Sequence, residues 1–344
     1  MNKGFSAGSR REFIKQAGHI AALVCLASTR LFPLRKSSQA QTPDALHCFR
    51  WRSVSLRHLP EMQEWMARLD WAGRLSQDKT WRKYIGGFAY GLPPAAERAR
   101  SLIIMATPLR ISRIVFQPGG SRRTVLIPSG YVDDGHTLAD YRDMLYQGGI
   151  VPKGSRLEPA RLPLKQLAVR SGLATYGRNN ITYVDGYGSF HQLLAFYSEQ
   201  ALEDHWRPLQ LLRECKGCSI CLQACPTGAI RRNDFIIDPG RCLTLFNELS
   251  EPIPSWIPSS AHNALVGCLQ CQLTCPGDIE VIGEQWDLGT VSEAETAALL
   301  GNRIDAKTGA ALKARFRRIG GGDNLPYMAR NLRLVLGATA AGRT

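Results

Sequence analysis

Ten cysteines stand in a chain of 344 residues, and eight of them fall between residues 215 and 275. The first run reads CKGCSICLQACP, with Cys215, Cys218, Cys221 and Cys225 closely spaced and a proline directly after the last. The second, GCLQCQLTCPGD, supplies Cys268, Cys271 and Cys275, again followed by proline; Cys242 stands between the runs in DPGRCLTLF. Runs this tight do not suit mutual disulfide pairing. They suit metal chemistry, because thiolates two residues apart let one short loop present several soft ligands to a single inorganic centre. Zinc also uses C-x2-C pairs, but its tetrahedral sites normally take two pairs apart in sequence, and a C-x2-C-x2-C-x3-C-P run fits that habit poorly. Iron–sulfur chemistry is therefore the favoured reading and zinc the alternative.

The first run resembles that of two-cluster bacterial ferredoxins, in which the fourth cysteine, carried off by the start of a helix, ligates the other cluster. The second run has the same pattern with its first cysteine missing, since Leu265 occupies that place. Two cubes need eight thiolates, and Cys242 is the plausible source of the missing one. The resemblance then implies two 4Fe–4S clusters, one on Cys215, Cys218, Cys221 and Cys275, the other on Cys225, Cys242, Cys268 and Cys271. Two such clusters form an electron relay.

The elements that must hold this relay occupy more chain than a bare ferredoxin of this type needs. At 44% hydrophobic and 21% charged residues the chain is ordinary globular material, enough for one large domain or two modest ones. Helical spacing marks residues 59–75, and SLIIMATPL (101–109) is an apolar run of buried-strand length. TVLIPSGYV (124–132) reads as another strand, HTLADYRDMLYQ and LPLKQLAVRSGL as helices. NITYVDGYGSFHQLLAFYS reads as two strands around the turn Asp185-Gly186-Tyr187-Gly188. Beyond the cysteines, VSEAETAALL, ALKARFRR and LPYMARNLRLVLG predict a short helical tail. The expected division is a signal segment at 1–40, an α/β substrate domain at 41–205, a double-cluster domain at 206–285 and the tail at 286–344.

The amino terminus contains SRREFIK before a weakly apolar run from about Ala17 to Ala27, the layout of an export signal. It resembles the twin-arginine consensus. This predicts delivery to the periplasm or the outer face of the membrane, with cleavage after Ala40 or retention as an uncleaved anchor. The net charge is +14, of which +6 lies in residues 1–40, so a solvated basic surface is preferred to a nucleic-acid footprint. A route that carries folded cargo suits clusters assembled before export.

From about residue 50 to 339 the chain resembles epoxyqueuosine reductases and their relatives the reductive dehalogenases. The pieces that carry this are LPPAAERARSLIIMATP, KQLAVRSGLATYGRNN, the eight-cysteine arrangement and MARNLRLVLG. The resemblance implies an α/β (α+β) cobalamin-reductase-like core fused to a two-cluster ferredoxin-like domain, with electrons passing to a corrinoid cobalt that reduces a substrate. Counting back from Lys165 puts Glu158 where the reductases carry a catalytic aspartate. Tyr141 and Arg142 stand in a piece like the family's Asp-Tyr-His, as a proton donor beside a cation; Arg178 and Asn179 are candidates to hold cofactor or substrate oxygens. With export, the expected partners are a small-molecule substrate, organohalides included, and an electron donor protein or membrane quinol system, and not nucleic acid. The alternatives are an exported electron-transfer protein without cobalamin and a basic module that binds transfer RNA.

Overall fold

The computed structural model describes residues 49–341 apart from 284, 302, 321 and 323. The amino-terminal SRREFIK segment, its cleavage site, Cys25 and Cys48 lie outside the described residues.

The strands are β1 (Arg50–Ser55), β2 (Ser101–Pro108), β3 (Ser112–Phe116), β4 (Arg123–Ile127), β5 (Leu157–Pro159), β6 (Thr175–Tyr176), β7 (Thr182–Tyr183), β8 (His191–Ser198) and β9 (Trp286–Thr290). A four-stranded sheet in the order β1-β2-β8-β5 is antiparallel throughout. Side chains alternate across it, and both faces are covered. Leu102, Ile104 and Ala106 of β2 pack with Ala195 and Tyr197 of β8 against Leu59 and Met62 of helix α1 (Leu59–Trp71). Ile103 and Met105 point the other way, with Leu194 and Phe196, onto Tyr141, Met144 and Leu145. Double coverage explains why 101–108 reads as an unbroken apolar run although its neighbours are antiparallel.

Helix α1 stops at Trp71, short of the predicted Leu75, because Gly73 turns left-handed (φ 64°) and Arg74 N–H bonds back to the Leu69 carbonyl. After α2 (Lys79–Ile85), helix α3 (Leu138–Gln147) begins at a capping box between Thr137 and Asp140. Helix α4 (Leu164–Arg170) buries Gln166 to Val169.

Two expectations are corrected by this topology. The strands on either side of Asp185–Gly188 do not form a hairpin: β7 pairs with β6, while β8 joins the large sheet. Nor is the carboxy-terminal segment an appended tail. Strand β9 runs parallel to β3 on the side opposite β4, and these strands share a core with the late helices. Ile114, Phe116, Val125 and Ile127 meet Leu299 of α8 (Glu293–Gly301), Phe316 of α9 (Ala306–Phe316) and Leu332 of α10 (Leu325–Ala341). Numbering α8 to α10 leaves α5 (Ile220–Ala224), α6 (Leu243–Asn247) and α7 (Gln270–Leu273) for the cysteine segment.

Helix α10 is fastened to that segment by one fully buried side chain. Asn331 Nδ2 donates to the carbonyls of Asn247 and Leu265, each at 3.0 Å, and Asn247 Nδ2 donates to the Gly267 carbonyl at 2.9 Å. Substituting Asn331→Leu leaves two buried carbonyls unpaired, and we expect a loss of about 2–4 kcal/mol, read as a lower urea midpoint for the iron-loaded chain.

Candidate iron–sulfur site and the cavity beside Tyr141

All eight cysteines of the 215–275 segment are free thiols. Helices α5 and α7 pack on one another, which brings the two runs together. Cys215, Cys218 and Cys221 of the first run and Cys275 of the second line one cavity, in company with Arg178, Asn179 and Tyr183. The other four form a second group. Burial pushes the Cys271 thiol well above its ordinary range, and the neighbouring Cys268, Cys242, Cys221 and Cys225 push it further. Burial likewise raises Cys268 to about 11, with Cys242 and Cys225 adding to it, and Cys221 to about 11, with Cys215, Cys275 and Cys218 adding to it. Both groupings are crosswise, drawing on both runs.

Thiols gathered this closely resist ionisation until a cation joins them. Among the described residues no three His, Cys, Asp or Glu side chains converge on a single ion-sized point. The first group surrounds a space instead, the disposition that the corners of a cube require. The first group therefore suits a cubane cluster, and the other four thiols supply the number of soft ligands a second would take, with hydrogen-bond donors already aimed at sulfurs of both groups. Asn263 Nδ2 donates to Cys268 Sγ at 3.2 Å, the Arg178 backbone N–H to Cys215 Sγ at 3.4 Å and the Tyr183 hydroxyl to Cys275 Sγ at 3.1 Å.

Arg178 and Asn179 face the first cysteine group. The Arg178 guanidinium is engaged with the carbonyls of Cys218 (3.1 Å), Cys215 (3.3 Å) and Arg232. Asn179 is buried, its amide spent on Tyr183, Ile181 and the Cys271 carbonyl. The chain can pass this close only because residue 177 is glycine, where a Cβ would lie 2.4 Å from Asn179 Oδ1 and 2.5 Å from the Tyr183 ring. Behind the group, buried Asp278 accepts from the Ser189 N–H (2.7 Å) and hydroxyl (2.6 Å). Gly188, left-handed at φ 56°, leaves room for that carboxylate.

The three candidate catalytic residues do not converge. Glu158 sits on β5 opposite Tyr197, paired with Arg156 at 3.2 Å. Its neighbours Leu157 and Pro159 face the α3 side, so Glu158 faces the other way. Arg142 Nε donates to the Leu157 carbonyl at 2.9 Å and ties α3 to β5. Tyr141 lines a cavity of about 80 Å³ with Asp133, Asp134, Gln192 and apolar residues of β8. Its hydroxyl donates to Asp134 Oδ2 at 2.7 Å, and His136 Nδ1 lies 3.3 Å from the same oxygen. Burial, then the Asp134 charge, lifts the Tyr141 phenol far above its ordinary range. The Asp134 carboxylate raises His136. Burial opposes ionisation of Asp134, yet hydrogen bonding from His136 and Tyr141 holds its carboxyl low. Sequence reading named Tyr141 but missed its Asp134 and His136 partners; the signal was a histidine two residues beyond an Asp-Asp pair and five residues ahead of the tyrosine.

Residues 214–278 match the 4Fe-4S double cluster binding domain. The epoxyqueuosine reductase of Listeria monocytogenes is 24% identical over 180 residues, 51% of this chain and 46% of that protein. That of Pseudomonas aeruginosa is 25% identical over 211 residues, 56% of this chain and 58% of its own length, and that of Aliivibrio fischeri 32% over 119 residues, 34% and 30% respectively. The chain spans about half the length of the first of these relatives. Among solved structures, epoxyqueuosine reductase from Bacillus subtilis, with its catalytic aspartate loop swung out of the active site, superposes with a TM-score of 0.59 at 17% identity, covering 84% of this chain and 77% of that one. An epoxyqueuosine reductase with a tRNA-Tyr epoxyqueuosine-modified tRNA stem loop gives 0.56 at 19%, covering 85% and 78%. The fold is shared with these reductases. The dehalogenase side of the resemblance and cobalamin are not carried by these matches.

Two expectations are overturned. Setting nucleic acid aside as a partner does not stand, because a protein of this fold is solved with a tRNA stem loop. Export to the periplasm or the outer membrane face, with its quinol and anchoring partners, is not supported by relatives named as epoxyqueuosine reductases. Among the described residues no helix is long and apolar enough to cross a membrane.

Replacing Cys242 by serine should remove one of two clusters, so that iron and acid-labile sulfide per reconstituted chain fall to about half. Replacing Cys25 or Cys48 should leave both unchanged.

Proposed function

We propose that the chain is a two-cluster iron–sulfur reductase acting on a modified nucleoside carried by transfer RNA. The observation that carries this is the crosswise gathering of eight free thiols into two groups within the segment that matches the double-cluster domain. Cys215, Cys218, Cys221 and Cys275 would hold one cluster and Cys225, Cys242, Cys268 and Cys271 the other. Each cubane exchanges one electron at a time, so the pair stores the two electrons that reduction of a closed-shell substrate consumes. The names of the relatives supply the substrate class.

Reduction also needs protons at a site that excludes water. Tyr141 is the residue best arranged to deliver one. It is buried, it borders a cavity, and its phenol is held by a carboxylate next to an imidazole. Glu158, in register with the catalytic acid of the reductases, is on a strand and paired to Arg156, an arrangement that suits a structural role. The residues assigned to a corrinoid do not fit one, because Arg178 and Asn179 are already spent on backbone and neighbouring groups beside the cysteines. No step is therefore routed through cobalt. A pure electron-transfer role is less well supported, since the relatives are reductases.

The test is anaerobic. Iron-loaded protein reduced with dithionite is mixed with an epoxyqueuosine-modified tRNA-Tyr stem loop; cluster reoxidation should accompany loss of the epoxide by mass spectrometry. Clusters that stay reduced, with an unchanged stem loop that does not bind, would remove the proposal. In the same assay Tyr141→Phe should lower turnover by about 10²-fold or more, the usual worth of a general acid, and Glu158→Gln by only a few fold.

A further inference from the structure

We propose that Tyr183, oriented by Asn179, sets the reduction potential of the cluster on Cys215, Cys218, Cys221 and Cys275 by donating its hydroxyl proton to the Cys275 sulfur. The direction of that hydrogen bond follows from a chain of obligatory donors. A backbone N–H can only donate, so Ile181 N–H at 3.2 Å fixes Oδ1 of Asn179 as the acceptor end of the amide. The other end, Nδ2, must then donate, and it does so to the Tyr183 oxygen at 3.0 Å. With that oxygen accepting, the phenolic proton is free to point at Cys275 Sγ, 3.1 Å away. Tyr183 is 5% exposed and Asn179 3%, so water does not compete for either group.

A hydrogen bond to a cluster thiolate stabilises the extra negative charge of the reduced state more than the oxidised state, which raises the potential. The effect is local. The second group has its own donors, Asn263 to Cys268 and Thr227 beside Cys225, and neither touches Tyr183. The pair also bridges the two sites, because Asn179 Nδ2 lies 3.4 Å from the carbonyl of Cys271 in the second group. Tyr183 is thus a positioning residue that ranks one cluster above the level it would otherwise have, giving the electron a preferred resting place.

The inference rests on the two-cluster reading, and iron analysis separates the two: a chain without about eight irons fails that reading before any potential is measured. With iron present, redox titration followed by electron paramagnetic resonance is run on the full reconstituted chain and on Tyr183→Phe, which removes only the hydroxyl. One cluster should become harder to reduce, by about tenfold in its reduced-to-oxidised ratio at fixed ambient potential, or about 59 mV for a one-electron couple; the other should stay where it was. Asn179→Ala keeps the phenol but frees its orientation and should move the same cluster in the same direction by less. Unmoved potentials at full iron content, or equal movement of both clusters, would overturn the proposal. Should Tyr183→Phe fail to load iron, Asn179→Ala alone decides, and no shift in it counts against the inference.

Discussion

Burial of closely gathered thiols, reinforced by repulsion from their neighbours, is the constraint that the rest of the molecule answers. Alone, such a set disfavours its ionised form, because burial, and then the neighbouring thiolates, raise Cys221, Cys268 and Cys271, and a bound cation would reverse that balance. Iron cannot organise the chain unless the two runs already approach each other. The packing of α5 on α7 provides the approach, and the exchange of Cys275 for Cys225 between groups then locks both runs together. Each cluster is in effect a crosslink between segments about fifty residues apart.

The scaffold supplies what the short helices of the cysteine segment cannot. Five residues in α5 and four in α7 are too few to stand as independent helices. Their surroundings are held from two sides: Asp278 clamps Ser189, which directly precedes Phe190 and β8, and Asn331 of α10 binds the backbone at Asn247 and Leu265. The carboxy-terminal helices thus brace the relay. This explains why β9 returns to pair with β3 instead of trailing away.

Iron–sulfur binding was legible because the two cysteine runs are written as spacing, and residues 214–278 match a double-cluster domain. Strand β2 and helices α3 and α4 were legible from apolar periodicity and from the cap at Thr137. The pairing of β7 was not, since a turn signal such as Asp185-Gly186 says where the chain reverses and nothing about which strand it meets afterwards. The carboxy-terminal core was missed for a related reason. Its partners, Ile114 to Ile127, come from a hairpin some 170 residues earlier, and local pattern carries no trace of so distant a contact.

Chemical roles were less legible than ligands because they depend on direction. Glu158 was expected at a catalytic position from its spacing to Lys165, but alternation along a three-residue strand turns it away from Tyr141. Arg178 and Asn179 read as candidates to hold cofactor or substrate oxygens in YGRNN, but the glycine before them lets the loop close onto Tyr183 and commits their donors inward. Tyr183 itself passed as an ordinary strand aromatic. Its significance comes from the phenol tip meeting a sulfur, which no periodicity encodes. The polar groups fall into two sets: on the cysteine side Arg178, Asn179 and Tyr183 supply donors to sulfur and backbone, and on the sheet side His136 and Tyr141 both approach the Asp134 carboxylate.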